Sequence, residues 1–299
     1  MTKTNTKSEE LLGCLAVFGS AFFFYLSTAV IRWSKARVSL DPAFFVFVRF
    51  LLGFLLICSV LYLKKQRLKP ENYHLLIGRT ISNCVAVYCF YKGVVLTSVA
   101  EANILNMTYP LFIAAFSWIF LKSQRDVTTT VIVIIAFIGI WLILSPGKSS
   151  LDLNHLWGIS SGVSASFSII YLNLSRKFHD SETILFYMFG LGAVISFILF
   201  HEKIFVPDTR ELYYLTICSG FAICGQYLIT LGFRYVTAVE GGIISSARIL
   251  LAAILGPWIA SDPALSLSGW IGALLIFAAN VYLTVRKAKS GPDRPTGAL

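Results

Sequence analysis

Charged side chains are scarce in this sequence: they make up 13% of its 299 residues, against about 25% in a soluble domain. Acids are scarcer than bases, 15 Asp and Glu against 25 Lys and Arg. Histidine occurs only at positions 74, 155, 179 and 201, with no paired aspartate and no metal-ligand spacing. The sequence therefore offers no basis for a metal centre or a histidine-based catalytic site. Cys14, Cys58, Cys84, Cys89, Cys218 and Cys224 all fall in apolar stretches without a CxxC pair, and read as small packing side chains. A Walker loop is lacking too, so no nucleotide-driven step is expected. Neither metal nor cofactor is expected, and the chain does not read as an enzyme.

What the chain has instead is apolar length. Hydrophobic residues make up 57%, in runs near 11–31, 43–63, 73–96, 101–121, 127–145, 155–174, 183–200, 212–233, 240–260 and 267–285. Each is about the length a helix needs to cross roughly 30 Å of hydrocarbon. Barrel-type alternation is absent, and only helices and closed barrels satisfy their backbone in lipid. The expected fold is an all-α polytopic membrane protein of ten transmembrane helices. The first run is too long for a cleaved signal core and is expected to stay. From a cytoplasmic N-terminus, alternate segments place fifteen Lys and Arg inside and six outside. This positive-inside bias puts both termini in the cytoplasm of an inner-membrane protein. It also accounts for the net charge of +10 without nucleic acid, which is not an expected partner.

The sequence also repeats. Shifted on itself, "YKGVVLTSVAEANI" (91–104) lies over "TLGFRYVTAVEGGI" (230–243), pairing Gly93 with Gly232, Glu101 with Glu240 and Ile104 with Ile243. "GCLAVFGSAFFFYL" (13–26) covers "GISSGVSASFSIIY" (158–171), pairing Gly13 with Gly158. Five spans per half is an odd number, so the halves are expected as inverted repeats, an architecture of secondary transporters. The division is a cytoplasmic tail 1–10, a first repeat 11–147, a second repeat 148–286 and a cytoplasmic tail 287–299.

Three stretches carry a resemblance. "SDPALSLSGWIGALLIFAANVYL" (261–283) is similar to the end of an EamA repeat, and "YVTAVEGGIISSARILLAAILGPWIA" (235–260) to the span before it. In the first half "LTSVAEANILNMTYPLFIAAFSWIFLKSQ" (96–124) matches the corresponding pattern. The chain resembles the drug/metabolite transporter superfamily in its ten-helix EamA form, over about residues 10–286. That implies transport of a small metabolite, with the substrate class left open. Two departures stand out. The family's Gly-Glu is Ser261-Asp262 in the second half and Lys122-Ser123 in the first, which argues against a gating role shared by both repeats. Pro110 of the fourth span has Ile249 as its counterpart, with Pro257 further on, so the halves should bend differently.

Four basic residues lie inside spans. A charge at the bilayer centre costs about 2.5–3.5 kcal/mol on insertion scales and therefore faces a cavity or a partner. Arg79 and Lys92 lie near span ends, where a long side chain reaches water. Arg49 sits deeper, with ion pairing and ligand contact both open. Arg248 is the deepest, about 12 Å along the helix from Glu240, beside the small residues Gly241, Ser245 and Ala252. A structural ion pair with Glu101 or Glu240 is the alternative. The repeat superposes Arg248 on Tyr109 and Ser245 on Asn106, giving both helices polar groups at one depth. Tyr25, Tyr88, Tyr91, Tyr171 and Gln226 extend the candidate substrate-binding set, with Tyr88 and Tyr91 as an aromatic wall. Trp33, Trp157 and Trp258 read as interfacial belt residues.

A guanidinium fork matches a carboxylate or phosphate. The expectation is a secondary transporter that moves an amino acid or other carboxylate-bearing metabolite through a central cavity by alternating access. A cationic or zwitterionic metabolite (choline-like or adenosyl-methionine-like) or a drug is the alternative, and a membrane-embedded enzyme a remote one. Glu101 and Glu240 are candidate coupling or gating residues, although helix capping also explains them. The expected partners are the small-molecule substrate and membrane lipid, with the chain a monomer or weak dimer.

Overall fold

The computed structural model describes residues 3–65, 67–120, 127–144, 153–235 and 238–289. These residues are helical, with a short 3₁₀ turn and connecting loops. The helices are α1 (Lys3–Lys35), α2 (Pro42–Lys64), α3 (Tyr73–Leu96), α4 (Val99–Asn106), α5 (Tyr109–Phe120), α6 (Val127–Leu144), α7 (His155–Ser175), α8 (Ser181–Phe200), α9 (Thr209–Tyr235), α10 (Ala238–Ile259) and α11 (Leu267–Lys289).

Local sequence accounts for the boundaries. Asp41 caps α2, its carboxylate accepting from the Ala43 N–H at 2.9 Å, and Pro42 occupies the first turn, where its missing N–H costs nothing. Asp180 caps α8 through the Thr183 N–H. Ser98 and Glu101 cap α4: the Ser98 hydroxyl accepts from the Glu101 N–H at 3.1 Å and donates to its carboxylate. Two boundaries differ from expectation. Helix α1 begins at Lys3, inside the segment expected as a tail; Lys3, Lys7, Glu9 and Glu10 there are good helix formers. The fourth span is two helices, not one, interrupted at Met107–Thr108. Pro110 has no N–H, and its ring clashes with the carbonyl four residues back, at Asn106. Helix α10 carries Pro257 without a break.

Helices from the two halves pair with each other. α1 lies against α9, α3 against α7, α2 against α8 and α6 against α11, while α10 contacts α1 and α4 contacts α7. A Cβ placed on Gly93 would come 3.4 Å from the Gly158 nitrogen, and one on Gly232 would come 3.1 Å from the Gly13 oxygen. The glycines that the self-comparison pairs are therefore the points where α3 meets α7 and α9 meets α1. Along α3 and α7 the neighbours run 93/158 and 78/171, and along α1 and α9 they run 17/232 and 24/225. Both pairs are thus antiparallel. Exchanging the two halves turns one pair into the other.

Two apolar clusters form the interior. One joins α1, α2, α3, α8 and α9 around Tyr25, Phe45, Phe50, Tyr91 and Met188. The other joins α4, α5, α6, α10 and α11 around Ile104, Leu111, Ile140 and Ile249. Outward faces are apolar as well, with Leu55 and Leu56 on α2, Ile134 and Trp141 on α6, and Ile198 and Leu199 on α8 exposed. By length and composition, Leu11–Lys35, Pro42–Lys64, Ser181–Lys203 and Thr209–Gly232 can each cross a membrane, and Val131–Ile143, Ile244–Ile259 and Leu267–Leu283 are shorter apolar helices. α3 and α7 spend their length on polar side chains, among them Arg79, Asn83, Ser161, Ser166 and Ser168, which face inward.

Candidate functional site

Arg248 lies in the interior of the bundle, 6% exposed. Its Nη2 donates to the Asn106 side-chain oxygen at the end of α4, and the Asn106 amide donates onward to the Ser161 hydroxyl on α7. The α4 break fixes this arrangement, because Asn106 is the last residue before the interruption. The guanidinium carbon of Arg248 stands 5.8 Å from the centroid of Phe24 and 5.4 Å from that of Phe90. Arg49 approaches the same Phe24 ring at 5.6 Å, and its Nη1 donates to the Tyr91 hydroxyl at 3.1 Å. Tyr91 is itself 3.5 Å from the Ser27 hydroxyl. One phenylalanine of α1 therefore joins two guanidiniums, from α2 and α10, in a cation–π arrangement.

The other candidates fall in different places. Tyr109 stands within the electrostatic reach of Arg248. Ser245 is buried on the α10 face, its hydroxyl without a hydrogen-bond partner among the described residues. Tyr25 is fully buried, and its hydroxyl likewise has no such partner. Tyr88 and Tyr91 do not form one wall. Tyr91 faces Arg49, whereas Tyr88 stacks on Phe200 at 4.7 Å and receives Lys92. Tyr171 packs over Gly78. Gln226 lines a small cavity with Arg79, Arg176 and Thr230. Glu101 bonds Ser98 and pairs with His155 at 3.5 Å, away from Arg248. The side chain of Glu240 lies outside the described residues.

Two basic residues behave differently from their expected outward reach. Arg79 is 4% exposed and donates to Ser168 on α7. Lys92 lies 4.1 Å from the Trp157 ring centroid, which makes Trp157 its cation–π partner. Trp258 is 85% exposed near the end of α10. Distance from a span end measures depth but not facing, and both side chains turn toward α7. Phe24, Phe90 and Ser161 were not singled out in the sequence, since nothing in a run of apolar or serine-rich residues distinguishes them.

At the bundle end that holds the α1 C-terminus, Asp262 closes a second constellation. Its Oδ1 pairs with Arg32 Nε at 2.9 Å, and its Oδ2 accepts the Val99 N–H at 2.6 Å. The Arg32 Nη1 also donates to the Thr97 carbonyl. Ser261, at φ 53, turns the chain left-handed to place the acid there. Burial raises the Asp262 pKa above the ordinary aspartate value, outweighing the opposing pull of Arg32 and the α4 backbone.

A family model described as the EamA-like transporter family matches residues 11–145 and again residues 153–285. The chain belongs to the EamA-like transporter family. Its relatives in that family include the pseudopaline exporter CntI of Pseudomonas aeruginosa, 25% identical over 286 residues, with 94% of this chain and 98% of the relative covered. A riboflavin transporter of Brucella anthropi is 24% identical over 271 residues, covering 88% and 94%. Human solute carrier family 35 member G1 is 24% identical over 295 residues, covering 92% and 80%. One solved crystal structure superposes with a TM-score of 0.59 at 17% identity, over 96% of this chain and 99% of that one, and so shares the fold. The family and the apolar helices make this EamA protein a multi-pass membrane transporter rather than an enzyme.

Proposed function

We propose that this EamA protein is a secondary transporter that carries a small, carboxylate-bearing metabolite across the inner membrane by alternating access, with Arg248 and Asn106 holding the carboxylate. The observation that carries this reading is a buried arginine with no carboxylate within ion-pair distance among the described residues, whose Nε has no hydrogen-bond partner among them. A buried guanidinium is costly until an anion meets it, and its planar fork fits a carboxylate. Amino acids and other carboxylate-bearing metabolites are the class this chemistry admits, and a purely cationic solute is the one it disfavours.

The inverted-repeat arrangement, with repeats at 11–147 and 148–286 between cytoplasmic tails, is part of the same proposal. It is supported by the double family match and by antiparallel helix pairs that interchange with the halves. With both termini cytoplasmic, Asp262 and Arg32 belong to the outer end, and Lys64 and Glu182, 2.9 Å apart, to the inner end. A monomer suffices, since the site is built within one chain.

Ligand-induced thermal stabilisation of the purified protein, followed by counterflow in proteoliposomes, tests the reading. Carboxylated metabolites should raise the Tm and exchange across the membrane. Arg248→Ala should keep the fold and weaken binding at least about tenfold. Unchanged affinity in that variant would sink the assignment.

A further inference from the structure

A single bound carboxylate leaves much of the charge in this bundle unanswered. Arg49, Arg79 and Arg248 are 4%, 4% and 6% exposed. Among the described residues no carboxylate lies within ion-pair distance of any of them. The Nε of each is also without a hydrogen-bond partner among those residues. Arg49 is close enough for its charge to act on both Arg79 and Arg248. The described acids near the bundle ends are engaged elsewhere: Asp262 with Arg32, Glu182 with Lys64 and Glu101 with His155. Each buried ion costs several kcal/mol even after relaxation, and like charges in a low dielectric repel one another. An amino acid brings one carboxylate together with an ammonium, so its net compensation is nil.

We propose that the solute is a dianion, with one anionic group held by Arg248 and Asn106 and the second by Arg49 and Tyr91. The inference rests on the reading above, that Arg248 holds an anionic group of a transported solute. Geometry limits its length. Both guanidinium carbons lie within 6 Å of the Phe24 centroid, so their separation cannot exceed those two distances laid end to end. A short dicarboxylate fits that span. Phe24 and Phe90 offer its methylenes apolar walls, and each guanidinium keeps N–H groups for an incoming oxygen. Arg79, with Arg176 beside the small cavity toward the other end of the bundle, extends the positive potential along the route and draws an anion inward.

The experiment compares short dicarboxylates of increasing chain length with their half-amides, which keep the skeleton and one carboxylate. Thermal stabilisation of the full-length protein and counterflow in proteoliposomes are the readouts. At one chain length the dicarboxylate should bind about tenfold or more tightly than its half-amide. Arg49→Gln should erase that preference while still binding both, and Arg49→Lys should keep most of it. Should Arg49→Gln fail to fold, Tyr91→Phe serves as the second variant, with a reduced preference expected. Equal binding of acid and half-amide at every length, with Arg248→Ala still weakening both, would overturn the dianion and leave the carboxylate site standing. No binding of either series would overturn both readings.

Discussion

Asp262 shows how one residue is set against its surroundings. It is buried, yet it is tied to Arg32 and to the first N–H of α4. Burial dominates, so its folded pKa lies above the ordinary value. A carboxyl that binds its proton more tightly when folded adds stability below the unfolded pKa, and that contribution is lost as pH rises through the folded value. Lowering the pH from neutral toward the ordinary aspartate range should therefore recover stability through this group, against the trend of the exposed acids. Asp262→Asn keeps an oxygen for the Val99 N–H and removes the titration. The wild-type minus Asp262→Asn difference in Tm should grow in favour of the wild type as the pH falls through that window. A pH-independent difference would mean that the group does not titrate there. Asp262→Ala, which also strands the α4 N–H, should be the less stable of the two variants at neutral pH.

At the scale of helices, packing turns on close approach. A Cβ on Gly232 would come 2.5 Å from Val17 Cγ2 and 3.1 Å from the Val17 nitrogen, while a Cβ on Gly220 of the same helix meets nothing within 4 Å. Gly232→Val should cost about 1–3 kcal/mol by overpacking, and Gly220→Ala should leave thermal unfolding nearly unchanged. Much of this level was legible in the residues. Apolar runs bounded by polar loops marked the spans, and the glycines that superpose in the self-comparison are the ones at the α1–α9 and α3–α7 crossings. Pro110 announced a bend, but sequence alone could not show that the fourth span parts into two helices. The site was legible in outline only. Arg248, Arg49, Tyr91 and Asn106 stood out as polar groups in apolar surroundings, and the structure joins them in pairs. Phe24, one phenylalanine among 24, carried no such signal, and the inward turn of Arg79 depends on which face meets α7.

At the scale of the whole molecule, alternating access requires the two halves to part at one end while they stay joined at the other. A Cβ on Gly256 of α10 would stand 3.6 Å from the Cβ of Ala100 of α4, within the range of a disulfide. The double variant Ala100→Cys, Gly256→Cys should cross-link under mild oxidation. Counterflow should then stop, and a reductant should restore it, whereas each single variant should stay active. Transport that persists in the fully cross-linked protein would rule out separation of α4 from α10 at this end.

The shared Phe24 ring, with a guanidinium from α2 and another from α10 against it, has an electrical consequence. A carrier holding net positive charge in its middle is itself a particle in the membrane field, where one elementary charge is worth about 2.3 kcal/mol per 100 mV. In the proposed alternating-access cycle the closed barrier shifts from one side of these arginines to the other, and the voltage drop shifts with it although the side chains scarcely move. The empty carrier should therefore rest in a different orientation at different voltages, and solute should mute that response by neutralising the charge. Transient currents recorded without solute, and their suppression when solute binds, would register this directly.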